Sequence, residues 1–398
     1  MLLMPRPDHL RLGALSLTHV AVDGYASFVP ALWLVLASTF DLSPFETGLL
    51  VALSMAVSNF SQPLFGLVAD RFDGRWLIIV GPLLAAGCMS MIGLSGWLPL
   101  TILLIIVGKA GVGMFHPEAA VLAGRFGSAS SRTMAVFMAS GILGMGLGAS
   151  FVSLVVGEDG QLFADSWLTI LPGIPVLLIV LLLVRSLPSA AREAPSPGPR
   201  PAFAALAGRH GAAWCLIGAQ LFRMLALNIL LCTIPLYVHE HGGGQLAIGA
   251  WMLAYTCGQA LGILAGGMTT RPRRERSVYM FSLMASLPAA LCLIFVEGIA
   301  AMIVLAVCGA LIAWANPVAV RLGQQIVPKG QRWMSGMLMG TTWGVAALVA
   351  PLVVGWTWSS RATLATAAVA LAAALAIAVT IPVQHELERL KAGDAAMT

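Results

Sequence analysis

An ungapped shift of 200 positions lays this chain on itself: Asp23 falls on Arg223, Gly66-x-x-x-x-Arg71 on Gly266-x-x-x-x-Arg271, His116-Pro117 on Asn316-Pro317 and Arg132-x-Met134 on Arg332-x-Met334. A duplication of that period constrains the fold more than any single motif, because each half has to be a packing unit in its own right. The chain is 59% hydrophobic and only 10% charged. The repeated unit therefore reads as a bundle of membrane spans rather than a soluble solenoid.

A helix crosses a hydrocarbon core of roughly 30 Å with about 20 apolar residues, and the sequence supplies about twelve such stretches. They fall near 10–38, 46–69, 75–96, 98–124, 133–157, 165–186, 211–238, 245–269, 277–296, 299–326, 333–356 and 362–383. The first contains His19 and Asp23 and runs on into a second helix, which predicts a retained span rather than a cleaved leader. Between spans six and seven, Ser186 to Pro201 is rich in Pro, Ser and Ala and neither apolar nor helix-forming. The domain organisation expected is a six-helix half over 1–186, a cytoplasmic Pro-rich linker over 187–209 and a second six-helix half over 210–398. No other loop has room for a soluble catalytic or sensory domain.

With the N-terminus in the cytoplasm, Arg6, Arg11, Arg71, Arg75, Arg125, Arg132, Arg185, Arg192, Arg200, Arg209, Arg271, Arg273, Arg274, Arg276, Lys329, Arg332, Arg389 and Lys391 all lie on the inner side, and only Arg361 lies outside. That asymmetry predicts both termini in the cytoplasm. The net charge of +5 is thus an orientation signal, and nucleic acid is not an expected partner. Six cysteines, all inside expected spans and none in a CxxC spacing, point to neither a disulfide framework nor a zinc site.

Ionisable groups in hydrocarbon are costly unless they face water or one another, so each is a candidate functional group. Asp23, Lys109, Glu118, Arg223 and Arg321 stand out, joined by His19 and His116. His19 and Asp23, four apart, share a helical face. Low dielectric penalises a charged carboxylate and an adjacent imidazole can relay its proton, so the pair suits proton loading near neutral pH; a static bridge within the half is the plainer alternative. In span four, Pro117 removes a helix bond, so Lys109, His116 and Glu118 can reach a central cavity. Glu118 lies about 10 Å inside the inner end, where an ion pair with Arg125 competes with a proton role.

The second half exchanges acid for base. Arg223 takes the slot of Asp23, and its guanidinium stays charged and can grip an anion with two hydrogen bonds; mutual neutralisation with Asp23 is the competing reading. Asn316 takes the slot of His116, polar but unable to titrate. Gln259, Tyr255 and Asn228 are further polar span positions expected to line the cavity, whereas Arg321 reads as a snorkelling residue. The glycines of span five, Gly141, Gly144, Gly146 and Gly148, predict close helix packing.

The turn after span two reads Gly66, Asp70, Arg71, Gly74 and Arg75 in the pattern Gly-x-x-x-Asp-Arg-x-x-Gly-Arg. With twelve spans in two repeats, it resembles motif A of the major facilitator superfamily, and the resemblance covers the whole chain. Leu17-Thr18-His19-x-x-x-Asp23, Gln62-Pro63 and Phe115-His116-Pro117-Glu118-Ala119 resemble the fosmidomycin resistance branch of drug efflux transporters. Lys109 stands where other drug antiporters carry an arginine, and Met145 after Gly144 departs from the antiporter Gly-Pro pattern.

The resemblance implies the alternating-access fold, proton-driven export with no cofactor besides the proton gradient, and an interdomain lock at Gly66, Asp70, Arg71, Gly74 and Arg75. The expected protein is an all-α integral membrane transporter of the bacterial cytoplasmic (inner) membrane, a monomer, and not an enzyme. Its expected partners are protons and a small polar or anionic organic compound or drug. Asp23, His19, Glu118 and His116 are the expected proton-coupling residues; Arg223, Lys109, Asn316, Gln259, Tyr255 and Asn228 are the expected substrate-binding ones. Proton-coupled uptake of an organic anion and a non-transporting receptor remain alternatives.

Overall fold

A backbone that crosses hydrocarbon must satisfy its own hydrogen bonds, and a single chain does so most simply as helix. A computed structural model describes residues 6–71, 74–94, 96–126, 131–157, 173, 210–271, 273–327, 334 and 337–381, and among these there is no strand. Span one is made of α1 (Arg6–Ala26), α2 (Phe28–Ala31) and α3 (Trp33–Thr39). Spans two to five are α4 (Pro44–Arg71), α5 (Arg75–Met91), α6 (Leu98–Phe126) and α7 (Ser131–Val156). The second half contributes α8 (His210–Glu240), α9 (Gln245–Thr269), α10 (Glu275–Cys292) and α11 (Gly298–Ile326). It ends with α12 (Thr342–Thr357), entered through a π turn at Met337–Thr341, and α13 (Ser360–Val379). The sixth expected span and the linker lie outside the described residues.

Nine of these helices are long and apolar enough to cross a bilayer. The two remaining described spans are less apolar over their length: span one carries His19 and Asp23, and α10 opens on Glu275-Arg276. Large apolar side chains such as Trp356, Leu261 and Leu154 lie exposed on the helices' outer faces, as a lipid-facing surface requires. Local signals set the helix starts. Ser43 and Glu46 bracket the first turn of α4, with Ser43 N donating to Glu46 Oε2 at 2.8 Å and Glu46 N to Ser43 Oγ at 3.3 Å, a capping box with Pro44 at the first helical position. At the start of α13 the Ser360 N–H donates instead to Glu240 at the end of α8, at 3.1 Å.

Span one is interrupted, and Pro30 supplies a reason. Lacking an N–H, it leaves the Ala26 carbonyl without its helical donor, and the ammonium of Lys109 donates to that oxygen from α6. A cation at the end of a half-helix also complements its dipole.

Glycine sets how near the helices approach. Gly144 and Gly148 of α7 lie against the backbones of Val20 and Gly24 on α1. In the second half Gly258, Gly262 and Gly266 of α9 meet Ala306, Ala310 and Trp314 of α11, a small-residue contact of the kind that holds membrane helices together. The duplication is visible as matched contacts: a Cβ at Gly66 would lie 3.9 Å from Pro117, and one at Gly266 3.2 Å from Pro317.

The halves meet along α7 with α9 and α4 with α12. At the end of the bundle opposite the N-terminus this seam is tight. A Cβ on Gly48 would come within 2.8 Å of the Pro351 carbonyl, and one on Gly355 within 2.8 Å of the Pro44 carbonyl. Gln245 Nε2 donates to Ala31 O at 2.9 Å and to Ser153 Oγ at 3.0 Å, and Ser150 Oγ donates to Gly249 O at 2.8 Å.

Candidate functional site

The i, i+4 spacing stacks His19 and Asp23 on one face of α1, and the fold turns that face toward α6 and α7. His19 Nε2 lies 3.2 Å from Asp23 Oδ2. His116 of α6 completes the group, with Nε2 3.2 Å from the other carboxylate oxygen, Oδ1. Both rings are held from behind: His19 Nδ1 is 2.9 Å from Phe137 O, and His116 Nδ1 is 2.7 Å from Val112 O. A carbonyl oxygen can only accept, so each Nδ1 carries its hydrogen and each Nε2 faces the carboxylate. The Phe137 ring stacks on His19 at 4.2 Å between centroids, which fixes its tilt.

Gly141 of α7 forms the wall. A Cβ there would lie 2.6 Å from His19 Cε1 and would also strike His19 Nε2 and Asp23 Oδ2. Only glycine lets α7 close over the pair. The cluster is not sealed, since the side chains of Asp23 and His116 keep 13% and 22% of their exposure.

Proton counting follows from this geometry. Two bare Nε2 lone pairs against a carboxylate would repel, so each 3.2 Å contact is favourable only with a hydrogen in it. The group therefore suits two hydrogens shared between one acid and two imidazoles. Lys109 is buried nearby, within electrostatic reach of Asp23 and of Cys232 on α8, so the first half's cation borders the second half.

The equivalent slots of the second half also touch. Arg223 is fully buried (0% exposed), and its Nη2 donates to Asn316 Oδ1 at 2.6 Å, its Nε to Gln220 Oε1 at 3.1 Å and its Nη1 to the Ile312 carbonyl. The Tyr279 ring lies 6.0 Å from the guanidinium carbon, and its hydroxyl is 3.4 Å from Gln220 Oε1. All these acceptors are neutral. The two ion-pair partners of Asp23 are imidazoles, and Arg223 is not among them. Asn316 Nδ2 makes no hydrogen bond, so this corner holds more donors than it uses.

The remaining expected site residues are spread out. Glu118 lies away from the triad, its carboxylate against the backbone of Gly74 at the start of α5. Tyr255 donates to Leu227 O at 2.8 Å and Asn228 to Met224 O at 2.9 Å, both bonds within the second half. Gln259 is buried with its Oε1 unbonded. Of the motif A residues, Gly66 packs near Pro117, Gly74 is buried and Arg75 begins α5; the side chains of Asp70 and Arg71 lie outside the described residues. Arg321 Nη2 is 3.9 Å from Glu275, a fully buried acid on α10.

Sequence reasoning does not single out Phe137, Gln220, Tyr279 or Glu275. Gln220 does carry a local signal, being three residues before Arg223 and so one helical turn away.

Comparison with known proteins agrees with this architecture. The family model described as Major Facilitator Superfamily matches residues 15–351. The chain is 26% identical over 155 residues to the Fosmidomycin resistance protein of Escherichia coli (strain K12), a match spanning 38% of this chain and 37% of that relative. It is 22% identical over 343 residues to the uncharacterized MFS-type transporter YfnC of Bacillus subtilis (strain 168), covering 84% of this chain and 83% of that one. In fold it is similar to a bacterial homolog of the human lysosomal transporter Spinster, solved inward-facing and unoccupied, with a TM-score of 0.70, 14% identity and 94% of each chain covered. With its duplicated helical halves and paired polar slots, the chain belongs to the Major Facilitator Superfamily of membrane transporters and is not an enzyme.

Proposed function

We propose that this transporter couples proton movement to the export of a small polar or anionic organic compound, by alternating access between its halves. The observation that carries the reading is Asp23 held between the Nε2 atoms of His19 and His116, each at 3.2 Å, in a cluster that keeps partial exposure. A carboxylate shared by two imidazoles can gain or lose protons with little movement of heavy atoms. The second half supplies what a substrate anion needs, the permanent charge of Arg223 and the unused donors of Asn316. Lys109, Gln259, Tyr255 and Asn228 complete the proposed lining. Glu118 assists near the inner end, and Gly66, Asp70, Arg71, Gly74 and Arg75 form the lock between halves.

With the termini in the cytoplasm of a bacterial inner membrane, the tight seam around Gln245 lies on the outer side, so the arrangement is closed outward. Export is favoured over uptake by the partial likeness to a resistance protein. The experiment is reconstitution of the monomer into vesicles of defined orientation with a pH-sensitive dye inside. Fosmidomycin, other phosphonates, carboxylates and amphiphilic drugs are then offered in turn. A compound that moves protons opposite to its own flux supports the reading; movement of protons with the compound replaces export by uptake. Substrate flux indifferent to a pH gradient ends the proton assignment.

A further inference from the structure

We infer that His19, Asp23 and His116 form a binding site for one divalent transition-metal ion of the zinc class. Their ligand atoms, Nε2, a carboxylate oxygen and Nε2, all lie within 4.8 Å of one another, and they come from two helices. Metal-binding histidines nearly always donate their second ring N–H to a carbonyl or carboxylate, which fixes the tautomer and aims the lone pair. Both rings here already have that support, from Phe137 O at 2.9 Å and Val112 O at 2.7 Å. Two ligand atoms each about 2.1 Å from a tetrahedral zinc ion stand about 3.4 Å apart. The observed N–O separations are both 3.2 Å and go to opposite oxygens of the carboxylate, so an ion shared by both rings is reached by turning the carboxylate and drawing the ligand atoms in from the 4.8 Å that bounds the set.

Ligand type narrows the metal. Two imidazoles and one carboxylate suit zinc and its first-row neighbours, whereas calcium and magnesium take oxygen ligands in larger number. Charge is compatible as well: one divalent ion brings the same charge as the two hydrogens that the two N–O contacts accommodate. Lys109 is the nearby cation, and its ammonium is committed to the Ala26 carbonyl. Gly141 leaves the wall of the site free of a side chain, and the exposed side of Asp23 and His116 gives a fourth position to water. An ion seated there takes up the lone pairs that proton loading needs, so it would arrest transport; that consequence rests on the proposed proton role, while binding itself does not.

The test uses the full chain, purified metal-free in lipid nanodiscs and titrated with Zn2+ by equilibrium dialysis and with Co2+ by visible absorption. One ion per chain is expected, with Co2+ showing the intense bands of a tetrahedral nitrogen and oxygen site. His19→Gln and His116→Gln should each weaken Zn2+ binding by at least about 10–100-fold. The double variant His239→Ala/His241→Ala, which removes the histidines at the far end of α8, should leave it unchanged. Equal binding by the parent and the His116→Gln chain, loss of binding in the His239→Ala/His241→Ala chain, or a parent chain without tetrahedral Co2+ bands overturns the site, the last with no variant needing to fold. Zn2+ binding that leaves proton-driven flux intact keeps the metal site and refutes the proton role of the triad. Proton-driven flux with no Zn2+ binding does the reverse.

Discussion

The two halves place a touching pair of side chains at the same repeated positions and give them opposite chemistry. In the first half, position 23 meets position 116 as Asp and His, at 3.2 Å; in the second, position 223 meets position 316 as Arg and Asn, at 2.6 Å. The contact between span one and span four is thus repeated as span seven against span ten, and the glycine–proline contact of span two with span four, 66 with 117, is repeated as span eight against span ten, 266 with 317. One half can change its charge with pH and the other cannot. The buried second pair is enclosed by Gln220, Tyr279 and the Ile312 carbonyl, whereas the first remains partly open. A duplicated bundle can in this way divide two tasks between sites of common ancestry without any new element of fold.

The sharpest way to break the comparison is to remove titration from the first half. Asp23→Asn keeps the shape and both ring supports but removes the carboxylate that holds protons between the two imidazoles. Proton-driven flux in vesicles should fall to the level of protein-free controls while the purified chain stays folded and monodisperse; normal pumping by this variant would defeat the assignment. The matching change in the second half is Arg223→Lys, which retains the charge and loses the planar fork. One charge-assisted hydrogen bond lost is about 1.5–3 kcal/mol, so apparent affinity for an anionic substrate should drop by about 10–100-fold. Transport of that substrate with unaltered affinity would separate Arg223 from recognition.

Gly141→Ala asks whether the first half depends on its glycine wall. Overpacking at such a contact costs about 1–3 kcal/mol, and here the strain falls on His19 and Asp23, so the pH profile of transport should move. Gly87→Ala is the control: a Cβ at Gly87 meets nothing within 4 Å, and alanine favours helix. Matching pH profiles in the two variants would show that the wall is packing alone.

Much of this comparison is legible in the amino-acid sequence. Hydropathy and the 200-residue offset point to the helical halves, and the spacing of four puts His19 beside Asp23. The approach of His116 to Asp23 is not legible there, since it lies 93 residues further on and its orientation depends on how α6 rotates against α1. Pro30 is visible as a break in hydrogen bonding, but that Lys109 donates to the freed carbonyl depends on a contact between α6 and α1 that no local pattern encodes. Glu275 is hidden for a related reason: within a run of arginines it reads as a solvated loop charge, yet it is buried beside Arg321.

The smallest expected effect concerns the seam rather than the sites. Gln245 on α9 joins the halves through Ala31 and Ser153 of the first half, at the end where Gly48 and Gly355 bring α4 and α12 together. Each hydrogen bond contributes about 0.5–1.5 kcal/mol net, so Gln245→Ala should weaken closure at that end and raise the population of the oppositely open state by about tenfold. Phe45 and Trp356 sit exposed at this end of α4 and α12, so spin labels placed there in a cysteine-free background would report the change as a longer distance component. The halves' internal pairs should be untouched, because neither Asp23 nor Arg223 bonds to this seam. A distance distribution identical to that of the parent would show that glycine packing, not Gln245, holds the halves together.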